Sequence, residues 1–516
     1  MRSAASPHGD VVARTLARNR LGVWSVVFFV MSAVAPLTVQ AGLVTTGFAV
    51  TGVTAIPQSF LLVGAVLAVF AVGYVAMARY MANAGAFYAY VARGLGRPMG
   101  VGAAWVALAA YTALQVALYG AIGVFTKPLL EQWFGVRVAW WVIALAAWSL
   151  VAVLGVLRVD VNSKVLAVLM LAEVAVILVF DAVDLLHPAG GTITFDTLAP
   201  GDLFDARIGA GLAMAMLGFV GFESAVVFSE EARDPVRTVR LATFVSLGAM
   251  ALLYAGSSWA MTVGVGSDRI VAAAREQGPE VVFALAAEHL GPLAADIGWT
   301  LLCTSVIAAL IAFHNLIARY VFALGREQVL PAWLGRTSRS GAPRGGSLLQ
   351  SLAGLAVIVI YAVAGWDPLV HLFFIVGTGG GYGVLLLVTL TSVAVIVFFV
   401  RNRTLDSVWQ RRLAPLLAAA ALLAVVVLAT TQFDTLLGVA PDSPLRWVIP
   451  AGYVAVAVLG VGWGLVLKVA RPDVYANIGL GAKSATVGLD AAASGAASDT
   501  HATAALGRAS VEEPTR

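Results

Sequence analysis

Charge is scarce in this chain: Asp, Glu, Lys and Arg make up 12% of its 516 residues, against 60% hydrophobic, and the mean hydropathy is +0.91. Soluble domains carry about a quarter charged residues, so the shortage excludes that class and points to a protein built inside a bilayer. Cysteine is nearly absent. Cys303 stands alone, which excludes an intramolecular disulfide and a cysteine-based metal centre and leaves the redox compartment open. The six histidines form no His-Glu-x-x-His pair or other dense grouping with Asp or Cys, so the sequence offers no pattern that points to a membrane-embedded enzyme. A membrane channel or substrate sensor is the alternative from another class; a channel would need a continuous polar path, which the mostly apolar spans do not offer, and a sensor would usually carry a soluble output domain, which the C-terminal tail is too small to supply. No cofactor and no metal are expected, and nothing in the sequence sets an oligomeric state.

Apolar runs are abundant. A spanning helix needs about 20 such residues, and charge-poor windows lie near 22–42, 58–79, 100–126, 138–157, 162–183, 207–229, 240–264, 293–318, 348–365, 370–399, 413–431 and 447–468. With the N-terminus inside, 26 of the 32 Lys and Arg fall on the cytoplasmic side, as the positive-inside rule requires. The expectation is an all-α, multi-pass plasma (inner) membrane protein with twelve spans and both ends cytoplasmic. Its net charge of +4 is then a product of topology, and no nucleic-acid partner is implied. The first span resembles a signal peptide, with Val39-Gln40-Ala41 like a cleavage site. Its apolar stretch is too long for that role, and removing it would break the charge pattern. The organisation read from the sequence is a tail at 1–20, a first unit at 21–183, an external loop at 184–206, a second unit at 207–400, two further spans at 401–470 and a disordered tail at 471–516, poor in large apolar residues.

Two spans are interrupted. The first contains Ser32-Ala33-Val34-Ala35-Pro36-Leu37-Thr38, where Pro36 removes a backbone donor and clashes with the preceding turn. The sixth contains Leu217-Gly218-Phe219-Val220-Gly221, where two glycines weaken the helix. Spans one and six head two consecutive five-helix units, and because five is odd the second unit enters from the opposite side, as an inverted repeat. Paired breaks at corresponding positions mark the binding site of a secondary transporter; a lone kink serves packing. An unwound turn presents N–H and C=O groups that a polar ligand completes. The half-helix beyond Pro36 suits a carboxylate and the carbonyls of the other half an ammonium, so a zwitterion fits both. Ser32, Ala33, Ala35, Leu37, Thr38 and Leu217 to Gly221 are the candidate substrate contacts.

Three segments carry a family resemblance. Gly221-Phe-Glu-Ser-Ala225 with Glu230-Glu-Ala-Arg-Asp-Pro235-Val-Arg237-Thr resembles the sixth-helix signature of the amino acid-polyamine-organocation (APC) permeases. Ala318-Arg-Tyr-Val-Phe-Ala-Leu-Gly-Arg-Glu-Gln-Val-Leu-Pro331 is similar to the family's end of helix eight, and Ala84-Gly-Ala-Phe-Tyr88-Ala-Tyr90 to its segment between helices two and three. The resemblance covers about residues 20 to 470 and implies a LeuT-type 5+5 fold, with spans eleven and twelve outside the repeat and transport of amino acids or related amines. Ala35-Pro36-Leu37 stands where the family commonly has Gly-Ser-Gly, so carboxylate contacts would fall to Leu37, Thr38 or residues just beyond.

Val161-Asn-Ser-Lys164-Val resembles the segment in which proton-using members place a lysine where others bind sodium. Lys164 is thus a candidate proton carrier, or else a charge snorkelling at a helix end. Glu223 lies about 10 Å inside the cytoplasmic end by helix rise, and an ionisable group at that depth is a functional candidate. The alternative for Glu223 is a carboxyl bonded to neighbouring backbone. Glu230, Glu231, Arg233, Asp234 and Arg237 read as a gate-side network, and His314 and Asn315 as substrate or proton contacts or as interhelical hydrogen bonds. Gly377-Thr-Gly-Gly-Gly381 lacks the Lys-Ser/Thr of a phosphate loop and reads as close packing, while Glu173 has no assignment. The function expected is alternating-access transport of a neutral amino acid, coupled to protons rather than sodium; an organic-amine permease or an exchanger is the alternative.

Overall fold

The computed structural model describes residues 21–80, 85–156, 159–199, 201, 208–229, 231–338, 341–402 and 404–481; the side chains of 159–166 also lie outside the description. The principal helices among these residues are α1 (Val23–Thr51), α2 (Ile56–Ala78), α3 (Arg97–Phe134), α4 (Trp140–Gly155), α5 (Val159–Leu186), α6 (Ile208–Val226), α7 (Pro235–Val265), α8 (Pro292–Arg326), α9 (Arg344–Ala364), α10 (Pro368–Arg401), α11 (Trp409–Thr431) and α12 (Leu445–Ala470). Ten of them are long and apolar enough to cross a membrane. The other two are α4, a shorter apolar helix of 16 residues, and α5, which has 28 residues and carries Glu173, Asp181 and Asp184 along its length. Helices suit this composition because they satisfy backbone N–H and C=O groups within the segment, where hydrocarbon offers no partners.

The helices that bury most are those that carry the interruptions and those that surround them. In the best windows of α1 and α6, 89% of residues are buried, and in that of α8 83%, whereas α12 buries 22%. The least buried helix therefore stands at the lipid-facing edge. The long α3 runs between α8, α10 and α12, while α1 is wedged against α5, α7 and α8.

In α1 the first stretch, Val23–Val34, ends at Ala35, whose φ of 52° and ψ of 75° are left-handed. A short turn, Pro36–Thr38, a π-helical stretch, Val39–Val44, and an α-helical end, Thr45–Thr51, follow. Pro36 cannot continue the preceding helix, so the residue before it takes up the change of direction. In α6 the helix ends at Gly218 and resumes as a 3₁₀ turn at Phe222–Val226. The intervening backbone is tightened rather than opened: Phe219 N–H donates to the Met216 carbonyl at 3.2 Å, Val220 N–H to Leu217 at 3.1 Å and Phe222 N–H to Phe219 at 3.1 Å. The expected unwound Leu217–Gly221 is thus a run of i→i+3 turns, since buried backbone groups must bond somewhere.

Gly221, at φ 116°, is where the two breaks meet: a Cβ there would lie 3.2 Å from both Ala33 Cβ and Val34 Cγ2. Glycine is required for the φ and for the approach.

At the end of the bundle predicted to be cytoplasmic, Leu21 pairs with the segment after α6: its N–H donates to the Glu231 carbonyl at 3.1 Å, and Arg233 N–H donates to the Leu21 carbonyl at 3.0 Å. Arg319 of α8 grips the buried Glu231 carboxylate with Nε and Nη2 and sits over the Phe228 ring. Asp234 caps α7 through Arg237 N–H at 3.0 Å. Of the expected charge network, then, Glu231 is a buried lock and Asp234 a helix cap; Glu230 lies outside the described residues.

The segment 472–481, read from composition as unstructured tail, instead folds beneath this face. Pro472–Asn477 is helical with Val474 buried, and the Gly479 and Gly481 N–H groups donate to the Glu327 carboxylate at 2.6 and 2.7 Å. The Tyr88 hydroxyl donates to the same carboxylate. Burial pushes the Glu327 carboxyl above its ordinary value, and these donors pull it partly back. Residues 1–20, the expected N-terminal tail, and 482–516, the remainder of the expected C-terminal one, lie outside the described residues.

Gly221→Ala should destabilise the purified protein by roughly 1–3 kcal/mol, the usual cost of a strained backbone, read as a lower Tm in detergent. Arg319→Ala, which leaves Glu231 as an unpaired buried charge, should cost about 3–5 kcal/mol, and Glu231→Gln combined with Arg319→Gln should recover part of it.

Candidate substrate cavity

A cavity of about 120 Å³ opens beside the two breaks. One wall is α1, with Ala33, Val34, Ala35, Thr38, Val39, Gly42, Leu43 and Thr46. Leu217 and Val220 of α6 form the second, and Leu114, Ala117 and Leu118 of α3 the third. Ala309 and Phe313 of α8 and Phe373, Phe374, Gly377 and Thr378 of α10 close it. Thr38, Thr46 and Thr378 are its polar side chains. The cavity is smaller than the ~300 Å³ at which pockets for drug-sized ligands begin, and it suits a small molecule with an apolar body. From the break it extends along α1 toward Thr46, away from the Leu21 end that the Glu231–Arg319 pair closes.

The predicted contacts divide. Ala33, Ala35, Thr38, Leu217 and Val220 come together in the wall. Ser32, Leu37, Gly218, Phe219 and Gly221 are buried beside it without lining it. Phe219 packs instead on Phe60 and Tyr254, and Gly218 admits the Phe60 ring, whose Cε1 would lie 2.8 Å from an added Cβ. The helix-one half beyond Pro36 does hold a carboxylate at its N-terminus, but it is the protein's own: Leu37 N–H donates to Glu173 Oε2 at 3.4 Å. Thr38 Oγ1, one residue on, donates to Ser305 Oγ at 3.1 Å.

Glu223 is fully buried and held by the turn it belongs to. It accepts from Gly221 N–H at 3.0 Å and from the Tyr111 hydroxyl of α3 at 2.6 Å, while its carbonyl accepts from Tyr74 at 3.2 Å. Glu223 therefore ties the α6 break to α2 and α3 and does not face the cavity. His314 bonds Ser347 of α9 at 2.8 Å and lies 3.4 Å from Gln115 Nε2 of α3. The Asn315 carbonyl and side-chain oxygen accept from Arg319. Neither His314 nor Asn315 lines the cavity; His314 joins α8 to α9 and α3, whereas Asn315 bonds Arg319 within α8. Lys164 lies on α5, but its side chain is outside the described residues.

His314 and Asn315 point to α8 in the sequence, but Ala309 and Phe313, which line the cavity, carry no such signal, nor do the α3 and α10 walls or the bond of Glu173 to Leu37. The sequence's tightest hint was the glycine run of α10: Gly377 faces Ala117, and Gly380 lets Leu114 and the Ala110 carbonyl approach within 3.0 Å of where a Cβ would be.

Membrane-length helices, two of them broken against each other beside a small cavity, define a multi-pass membrane transporter. The amino acid permease family model matches residues 21–456, and the chain belongs to that family, within the APC superfamily. Among solved structures its fold is similar to that of the Eremococcus coleocola manganese transporter, determined in complex with an aromatic bis-isothiourea substituted compound. The TM-score is 0.53 at 13% identity, over 90% of this chain and 95% of that one. At that identity the likeness is one of fold. No curated protein matches the chain.

Ala117→Phe should fill the cavity from the α3 side. A substrate that raises the Tm of the wild-type protein should no longer do so in this variant, while the unliganded Tm falls by only a few degrees, as about 1–3 kcal/mol of overpacking implies.

Proposed function

We propose that this permease is a secondary active transporter of small neutral amino acids, coupled to protons and working by alternating access on a twelve-span, five-plus-five inverted-repeat fold. The observation that carries the reading is that both helix breaks border one cavity whose walls are almost wholly apolar. Leu43, Leu114, Leu118, Leu217, Phe313 and Phe373 would take an aliphatic side chain. Thr38, Thr46, Thr378 and the turns at Ala35 and Val220 would take the amino acid's polar end, where a bound zwitterion meets both dipole ends. No acidic side chain among the described residues lines the cavity, which speaks against a polyamine.

Alternating access in this reading pivots at the contact of Gly221 with Ala33 and Val34. The Glu231–Arg319 pair and the Leu21 bridge hold the cytoplasmic side shut while the cavity extends toward the opposite face. A buried ion pair is costly to break with either partner left alone, so opening that side requires Glu231 and Arg319 to separate into water together.

Uptake into proteoliposomes tests the reading. With an inward acid gradient, leucine- or alanine-sized neutral amino acids should accumulate, a protonophore should abolish accumulation, and replacing sodium by potassium should leave it unchanged. Uptake that needs sodium would remove proton coupling, and a preference for diamines over neutral amino acids would remove the substrate class.

A further inference from the structure

Along one face of α5 stand Glu173, Asp181 and Asp184, spaced by eight and three residues, with Ile177 on the same face. Glu173 and Asp181 are thus ~12 Å apart along the helix. The face opposite belongs to α7 and is also polar. The Ser257 hydroxyl donates to Asp181 at 2.6 Å, and Asp184 Oδ1 lies 2.9 Å from where a Cβ on Gly264 would be. Gly264 in turn lines a second cavity, of about 310 Å³, at the Leu186 end of α5, with Arg269, Glu288 and the stacked rings of His187 and His289 at its wall. Three residues before Ser257 on α7, Tyr254 is fully buried, its hydroxyl lies within electrostatic reach of Glu173, and it has no hydrogen-bond partner among the described residues.

At the inner end of this file, Glu173 is 1% exposed. It faces the Leu37 N–H and the Ser305 hydroxyl. The other ionisable groups on the elements packed around it can be named. Helix α1 has none. Helix α7 brings Tyr254, with Arg237 and Arg240 at its far end. Helix α8 brings Cys303, bonded to Thr126, with Asp296 bonded to Gln132 and His314 bonded to Ser347, and toward its far end Arg319 paired with Glu231, Tyr320 bonded to the Tyr88 N–H and Arg326 over the Phe322 ring. The short helix Val281–Leu290 brings Glu288 and His289 near the mouth. No cation among the described side chains stands against Glu173, and a lone carboxylate at membrane depth is costly. The Leu37 N–H presents its positive end to one of the carboxyl oxygens, which favours the carboxylate form and opposes a metal cation there.

We infer that Glu173 is the proton-binding group of this transporter and that Asp184, Asp181 and the Tyr254 hydroxyl form the path by which protons reach it from the cavity at His187 and His289. The inference rests on the proton-coupled reading above and deepens it. As a carboxylate, Glu173 holds the positive N-terminal end of the helix-one half at Leu37; as an acid it loses that attraction. Thr38, the next residue, lines the substrate cavity. One proton taken up at Glu173 therefore loosens the element that carries the substrate contact, with no bond made or broken other than O–H.

The test uses the full-length protein in proteoliposomes with an internal pH dye. Two quantities are read, substrate counterflow without a gradient and proton entry accompanying net uptake. Glu173→Gln should keep counterflow and lose proton entry and pH-driven accumulation. Asp181→Asn and Asp184→Asn should slow proton entry, and Tyr254→Phe should shift the external pH of half-maximal uptake with counterflow unchanged. If wild type moves protons and Glu173→Gln still does, the inference is overturned and the coupled reading stands. If wild type moves substrate without protons, both are overturned. Should Glu173→Gln fail to fold, the Tyr254→Phe and Asp181→Asn profiles decide, and wild-type pH dependence in both overturns the path.

Discussion

The close contact between two interrupted helices, Gly221 of α6 against Ala33 and Val34 of α1, is the constraint on which the rest of this fold depends. In hydrocarbon a backbone cannot leave N–H and C=O groups unbonded, so a broken helix survives only where another element supplies partners. Here each break is completed by a different device. Helix α6 tightens into i→i+3 turns and ties Gly221 N–H to its own Glu223, whereas α1 places Ala35 in a left-handed conformation and offers Leu37 N–H to Glu173 of α5. Both glutamates are therefore parts of the two breaks before they are anything else, and the cavity is the space left where the repaired breaks fail to fill the gap against α3, α8 and α10.

That arrangement separates roles by depth. At the Leu21 end the charged groups lock: Glu231 and Arg319 are buried against each other, and Glu327 gathers Tyr88 and the turn at Gly479–Gly481. At mid-depth the cavity is apolar. Toward the Leu186 end, acidic groups line the contact of α5 with α7.

Much of this was legible in the chain itself. Hydropathy marked the helices, Pro36 and the Gly218–Gly221 pair marked the two breaks, and the residues from Gly221 to Arg237 and from Ala318 to Pro331 carried the family. Less legible was which side of a broken turn faces the ligand. Ser32, Leu37, Phe219 and Gly221 are neighbours in sequence of wall residues, yet they point into helix contacts, because successive residues of a turn diverge by about 100°. Nor could the tail's helix at 472–477 be read from a composition dominated by small residues further on; Val474, Ile478 and the partners offered by Glu327 decide it.

By itself, then, the sequence determined what local chemistry dictates: that the chain lives in a bilayer, where its helices run and where they must break. The tertiary structure alone decided what depends on residues far apart in the chain. Glu173 meets Leu37 across 136 positions and Thr38 meets Ser305 across 267, and no local pattern encodes such a pairing. The cavity likewise exists only because five helices leave the same space unfilled, a property of packing that no single segment carries.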